Sequence, residues 1–273
     1  MDLRGKTTLI TGSTDGVGRW VARRLAADGA HVLLHGRNEA RGQAVLEAIR
    51  AEGGSAEFLP ADLSSLAEVR RLAEAVLARH DRIDGLINNA GIGTGPNARR
   101  ETSADGHELR FAVNYLAGFL LTRLLLPALR RGTPSRIVNV ASAGQQAIDF
   151  DDVMLTRGYS GVRAYCQSKL AQILFTFDLA EELRGSGVTA TCLHPATYMD
   201  TTMVRQSGTR PISTVEEGGE AILALAVSPE LDGESGVYFS GRHRARPLAQ
   251  AEDPAVRERL RCLSARLTGL EPG

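Results

Sequence analysis

The chain has 273 residues, 43% apolar and 23% charged, a balance that excludes a disordered chain and a membrane bundle. Basic and acidic side chains number 32 each, so no net field favours nucleic acid, a membrane surface or an acidic partner. The length suits a single α/β domain spanning 1–273, able to bury about three quarters of its unfolded surface.

In chain order, Lys6–Thr11 reads as a short apolar strand, and the polar segment Met1–Ile10 that enters it is not a signal peptide. Gly16–Asp28 has helical period and Gly29 stops it. A strand His31–Leu34, a helix Glu39–Glu52 and a strand Ala56–Leu59 follow, and Ser64 is placed to cap a helix reaching about His80. Ile83–Asn88 is the fourth strand, Gly106–Arg131 a long helix, Arg136–Ala141 the fifth strand and Val162–Arg184 a helix closed by Gly185 and Gly187. Val188–Leu193, a helix Glu216–Val227 and a short strand Val237–Phe239 complete the pattern. Strand and helix alternate, and the strands lack polar alternation, so the sheet is parallel and covered on both faces. The longest apolar run, Leu116–Leu129, is broken by Arg123 and Pro127 and is too short to span a bilayer. Cys166, Cys192 and Cys262, an odd set without Cys-x-x-Cys spacing, read as free thiols of a reducing cytosol.

The first strand leads into Thr11-Gly12-Ser13-Thr14-Asp15-Gly16-Val17-Gly18 and then a helix. Glycine lets backbone approach a pyrophosphate, and the free N–H groups of the first helical turn point at it. The second strand ends in His35-Gly36-Arg37-Asn38 with no carboxylate for the ribose hydroxyls. Arg37 stands there instead, placed to meet a 2′-phosphate, so NADP(H) is expected over NAD(H).

Lysine is scarce: Lys6 and Lys169 alone, the other basic residues being arginine, a usage typical of a GC-rich bacterial genome. Lys169 stands four residues after Tyr165, so the two share one helix face. An adjacent ammonium favours the phenolate, and a tyrosine tuned in that way can exchange a proton with a carbonyl or alcohol. Ser142 follows the fifth strand at its carboxyl end, where open α/β sheets bind ligands. Asn114 lies in the long helix before that strand.

With these residues, and with Asn88-Asn89-Ala90-Gly91 after the fourth strand, residues 3 to 241 resemble the short-chain dehydrogenase/reductase family. Asp105-Gly106, Asn114-Tyr115, Gly118-Phe119, Arg37-Asn38 and Ser168-Lys169-Leu170-Ala171 make the chain most similar to its retinol-dehydrogenase-like and bacterial carbonyl-reductase branch. The resemblance implies a doubly wound Rossmann fold of three layers around a parallel seven-stranded sheet, and hydride transfer with NADP(H) on a carbonyl or secondary alcohol. It implies Tyr165 as general acid/base, Lys169 as the group that lowers its pKa and holds the nicotinamide ribose, Ser142 as the group that orients the carbonyl, and Asn114 as support for a water-mediated proton path. Gly12 through Gly18 cradle the pyrophosphate, Asp62-Leu63 meet the adenine, Asn89, Ala90 and Gly91 line the cofactor cleft, and Pro195-Ala196-Thr197 meet the nicotinamide.

Three departures stand out. Ser142 and Tyr165 are more widely separated than in most of the family, which places an insertion at 143–161 beside the site. Ala196 replaces the usual glycine after His194-Pro195, and Asp15 stands where some NADP enzymes carry a basic residue. A second long stretch, 196–214, holds Tyr198, Met199 and Met203, read as the apolar wall of a mobile lid over a bulky, mostly apolar ketone. By analogy of source, that ketone belongs to secondary metabolism. The histidines show no metal-ligand spacing, so no metal is expected. A non-catalytic dinucleotide-binding scaffold, or an epimerase or dehydratase, is the alternative on the same fold. The long helices carry more apolar residues than one sheet face covers, which argues for a homodimer or homotetramer. The competing reading is that the insertion and Pro254–Leu270 cover that surface within a monomer.

Overall fold

The computed structural model describes residues 2–95 and 99–271. Eight strands form one sheet in the order β3-β2-β1-β4-β5-β6-β7-β8. They are β1 (Thr7–Ile10), β2 (His31–Gly36), β3 (Ser55–Pro60), β4 (Gly85–Asn88), β5 (Ser135–Val140), β6 (Val188–His194), β7 (Val237–Ser240) and β8 (His243–Arg244). The first seven pair in parallel; β8 is a two-residue antiparallel edge strand added to the seven expected. Strand order reverses between β1 and β4, the switch point where doubly wound sheets open a crevice at their carboxyl ends.

Helices cover both faces, as the unalternating apolar strands require. On one face pack α1 (Gly16–Ala27), α2 (Glu39–Ala51) and α7 (Val215–Val227), with Val21, Leu25, Ile49 and Ile222 in the core. On the other lie α3 (Leu66–Leu77), α4 (Ala117–Arg131), α5 (Gly161–Glu182) and α8 (Pro254–Thr268). A five-residue helix, α6 (Thr202–Gln206), lies between β6 and α7.

Some elements depart from the sequence reading. Regular helix does not begin at Gly106: that glycine has φ +81° and belongs to a turn in which Ser103 Oγ accepts from the Asp105 and His107 amides at 3.2 Å. The segment Phe111–Leu116 is then a π-helical turn leading into α4, and Asn114 sits inside it. Such turns concentrate at functional sites. By length and composition Phe111–Arg131 could cross a membrane, yet Phe111, Tyr115, Leu120 and Leu125 are buried in the core. Likewise α3 begins one residue later than expected, because Ser65 and not Ser64 caps it.

Another departure is α8. Asp253 caps it, Pro254 occupies its first position and Gly269 ends it in the left-handed region, each a readable boundary signal. It packs on α5. Tyr115 Oη and Ser264 Oγ share a hydrogen bond of 2.6 Å, and Arg261 and Arg257 pair with Asp178 and Glu181, each at 2.7 Å. Part of the apolar surface of α5 is thereby covered within the chain.

Candidate active site

The carboxyl ends of β1, β4, β5 and β6 meet at the switch point. After β1, Gly12 turns at φ +67°, and a side chain there would meet Ala90 Cα at 2.8 Å. Gly18 opens α1 so close beneath the turn that a Cβ would lie 2.2 Å from the Gly12 carbonyl oxygen. Asn89 Nδ2 donates to the Thr11 and Gly12 carbonyls at 3.0 and 3.1 Å, while Thr11 Oγ1 accepts from the amides of Asn89 and Ala90, both at 3.0 Å. The expected cradle residues Gly12 to Gly18 and the Asn89–Gly91 segment after β4 are therefore bonded together at the N-terminus of α1, the geometry that suits a pyrophosphate.

His35, read in the sequence only as a strand end, holds that turn. Its Nδ1 accepts from the Gly12 amide at 3.1 Å, and its Nε2 faces the Ala61 carbonyl at 3.2 Å. The two contacts select one neutral tautomer, and burial pulls the imidazole down to about 4. No local spacing announces this role, because Gly12 and Ala61 reach His35 from other strands.

The side expected to take the adenosine is an open groove of about 610 Å³ lined by Arg37, Leu59, Pro60, Asp62 and Arg71, among others. Arg37 is exposed at its rim. Asn38 caps α2 through the Arg41 amide. Asp62 Oδ1 accepts from the Ser64 amide at 2.9 Å, which fixes the Asp62-Leu63 turn. Arg41 approaches Asp15 at 3.6 Å, so a second guanidinium flanks the glycine loop.

Asn114, Ser142, Tyr165 and Lys169 converge beyond the loop. Asn114 Oδ1 accepts from the Ile92 amide at 2.8 Å; its Nδ2 donates to the Ile92 carbonyl at 3.2 Å and to Ser168 Oγ at 2.9 Å. The side chain thus ties the loop after β4 to α5. Ser142 Oγ accepts from the Gly144 amide at 3.0 Å and lies beside the Tyr165 phenol. Lys169 Nζ lies 5.8 Å from the Tyr165 ring centroid. It donates to the Val140 carbonyl at 2.8 Å and to Gln172 Oε1 at 2.9 Å.

The Lys169 ammonium, 5.8 Å from the ring centroid, does not outweigh burial at the Tyr165 phenol. Burial pushes Tyr165 up, opposed by the nearby Ser142 hydroxyl, and burial alone pulls Lys169 down to about 7. A dry site penalises both charged forms, so each group is held neutral more than its ordinary value implies.

The two flanking stretches differ. The insertion 143–161 is pinned: Ile148, Val153 and Leu155 are buried, and Gln250 bonds both the amide and the carbonyl of Ile148, at 2.7 and 3.2 Å. Tyr159 Oη accepts from Arg110 at 2.8 Å and donates to Glu108 at 3.1 Å, closing a buried triad. Arg110 in turn holds the Gly93 and Thr94 carbonyls at 3.0 and 2.9 Å. The stretch 196–214 is more open. Pro195 is buried, His194 Nε2 and Thr197 Oγ1 lie 3.0 Å apart, and Ser213 Oγ donates to the Thr197 carbonyl at 2.5 Å. Thr202 Oγ1 donates to Asp15 at 2.8 Å, so α6 rests on the glycine loop. Tyr198 (φ +45°) and Met203 are exposed, Met203 facing Gly93. Met199, expected in the same wall, is not there: its sulfur occupies the space beside Gly218 of α7 and its side chain packs on the α1/α7 core. The small residue on α7 opens a socket that the more exposed Met203 lacks.

One further cluster was invisible to spacing. His31, Glu57 and His80 bring ligand-type atoms within 4.8 Å of one another. His31 Nδ1 contacts Ser55 Oγ at 2.7 Å, His80 bonds Glu57, and Arg79 pairs with the same carboxylate at 3.0 Å. The three come from β2, β3 and the end of α3, at the edge of the sheet remote from Tyr165.

Comparison with known proteins agrees with this architecture. The short chain dehydrogenase family model matches residues 6–211. The chain belongs to the short-chain dehydrogenase/reductase family. It is 39% identical to human retinol dehydrogenase 13 over 98% of this chain and 86% of that protein, and 40% identical to mouse polyprenol dehydrogenase over 98% and 85%. The crystal structure of an uncharacterised protein from Mycobacterium paratuberculosis superposes with a TM-score of 0.81 at 32% identity, covering all of this chain and 96% of that one. The chain is thus a retinol-dehydrogenase-like member of the family and an NAD(P)-dependent oxidoreductase of CH–OH and C=O groups.

Proposed function

We propose that this enzyme uses NADP(H) to interconvert a bulky, mostly apolar ketone and its alcohol, acting as a single catalytic domain in the cytoplasm of a bacterium. One observation carries the substrate class. Among the described residues, the exposed large hydrophobic side chains Val162, Tyr198, Met203, Ile212 and Leu248 lie on α5, on the 196–214 stretch and on the segment after β8. Val162 starts the helix that bears Tyr165; the Ile212 amide bonds the Tyr198 carbonyl at 3.1 Å; the Leu248 amide bonds Gln145 at 2.7 Å, three residues beyond Ser142. Exposed apolar side chains on the stretches that flank Ser142 and Tyr165 in the chain suit an apolar substrate. The names of the two relatives, dehydrogenases of retinol and polyprenol, support long apolar substrates and favour a second reading, a primary alcohol and its aldehyde.

Bound nicotinamide dinucleotide supplies or accepts the hydride. The glycine cradle fits its pyrophosphate, and Arg37, with Arg41 beside it, fits a 2′-phosphate as a charge-assisted pair. Ser142 donates to the substrate oxygen, Tyr165 Oη gives or takes its proton, Lys169 stabilises the phenolate when charged, and Asn114 fixes the loop beneath. Tyr165→Phe removes the transferable proton while keeping the ring, so turnover falls about 10²–10⁴-fold with cofactor binding retained. Arg37→Ala erodes the preference for NADPH in the ratio of specificity constants. Full activity of the first variant, or an unchanged cofactor ratio in the second, overturns the corresponding assignment.

A further inference from the structure

We infer that Gln172 is a positioning residue for Lys169, holding the ammonium under Tyr165 without neutralising it. The inference rests on the reading of Tyr165 and Lys169 as the proton-transfer pair.

A lysine head group sits on four rotatable methylenes and is compact, with three donors. Here two of those donors are taken by fixed acceptors, the Val140 carbonyl at 2.8 Å and Gln172 Oε1 at 2.9 Å. The first is backbone of β5. The second is a side chain three residues on along α5, the spacing that puts both on one helix face. Gln172 is itself buried, and its backbone carbonyl accepts from Thr176 Oγ1 at 2.7 Å. Thr176 Oγ1 in turn accepts from Asn139 Nδ2 at 2.9 Å, and Asn139 Oδ1 accepts from Asn88 Nδ2 at 2.9 Å. The polar chain crossing β4, β5 and α5 therefore fixes the turn of α5 that carries Gln172, and its side-chain amide, buried against Lys169, is not a loose surface group.

The residue type matters as much as its place. Lys169 is faced by Tyr165 on its own helix, by Asn114 across Gly91, by the Val140 carbonyl and by Gln172. Tyr165 is faced by Ser142, Cys166 and Tyr198. Burial accounts for the depression of the lysine, with no carboxylate contributing. A glutamate at 172 would hold the ammonium equally well but cancel its field at the phenol. An aliphatic residue would leave a buried ammonium short of an acceptor and favour the neutral amine. The amide oxygen avoids both outcomes: it accepts from the charged form and carries no net charge.

The test uses Gln172→Glu and Gln172→Met. In both variants the phenol is harder to ionise, so the rising limb of alcohol oxidation against pH moves upward. The expected displacement is about one pH unit, equivalent to about a tenfold loss of specificity constant on that limb. Ultraviolet titration of tyrosinate in the cofactor-free protein, taken as the difference from the Tyr165→Phe variant, moves in the same direction. A merely structural residue lowers the amplitude and leaves both midpoints in place. If Gln172→Glu does not fold, Gln172→Met, close in shape, carries the test. Coincident midpoints in a folded variant overturn the inference. Retained activity in Tyr165→Phe overturns the underlying reading instead, so the two failures are distinguishable.

Discussion

The insertion 143–161 and the stretch 196–214 flank the same cleft and look alike as sequence, long and without regular period, yet they are built in opposite ways. The insertion turns its apolar residues inward, Ile148, Val153 and Leu155, and bonds to the segment after β8 and to the turn before α4. The second stretch turns Tyr198, Met203 and Ile212 outward and is held by backbone pairing at its base, by the Thr202–Asp15 contact and by the single anchor Met199. One is scaffold and the other is wall. A connection without secondary structure becomes rigid when its apolar side chains find a core to enter. The α4/α5/α8 layer offers that core to the insertion, whereas α6 has no buried residue.

The largest expected break in this comparison is Glu108→Ala. It leaves Arg110 buried without its carboxylate and Tyr159 without an acceptor. Removing one partner of a buried pair costs about 3–5 kcal/mol, enough to shift a denaturant midpoint strongly. A midpoint equal to the parent's would show that the insertion is not pinned by the triad.

A smaller effect separates the two methionines. Met199→Ala empties the socket beside Gly218 and costs about 1–2 kcal/mol, part of the usual penalty because the site is only half-buried. Met203→Ala changes stability by less than about 0.5 kcal/mol and instead raises KM for large ketones more than for acetone-sized ones. Equal stability of the two variants would erase the distinction between anchor and wall. Limited proteolysis sharpens the same point, with cuts expected within 198–212 and none within 143–161.

The gentlest test is pH. His35 is buried and its imidazole lies near 4 in the fold, against about 6.5 when unfolded. The unfolded chain therefore binds the extra proton between those values, and stability falls as pH drops from about 6.5 to about 4. The shift corresponds to about 3 kcal/mol across that window. In His35→Gln this part of the slope disappears, read by chemical denaturation at pH 7 and pH 4.5. An unchanged slope would mean that His35 does not hold Gly12 as a neutral acceptor.

What the sequence by itself determined was local. The glycine loop, the missing carboxylate at Arg37, the Tyr165–Lys169 spacing and the strand–helix alternation each lie within a few residues, where periodicity and steric rules act directly. The caps of α8 were equally local and could have been read from Asp253-Pro254 and Gly269. Gln172, three residues from Lys169, had a signal in its spacing but none in its chemistry, since glutamine on a helix is ordinary. Only the tertiary structure decided the rest. It set His35 against Gly12, assembled Glu108, Arg110 and Tyr159, put α8 over α5, and separated Met199 from Met203. Each of those outcomes depends on which distant element arrives beside a side chain, and on whether burial or water then surrounds it. The same rule governs the proton chemistry. A tyrosine and a lysine one turn apart are visible in the sequence, but burial raises the one and lowers the other, because removing water penalises charge whatever the spacing.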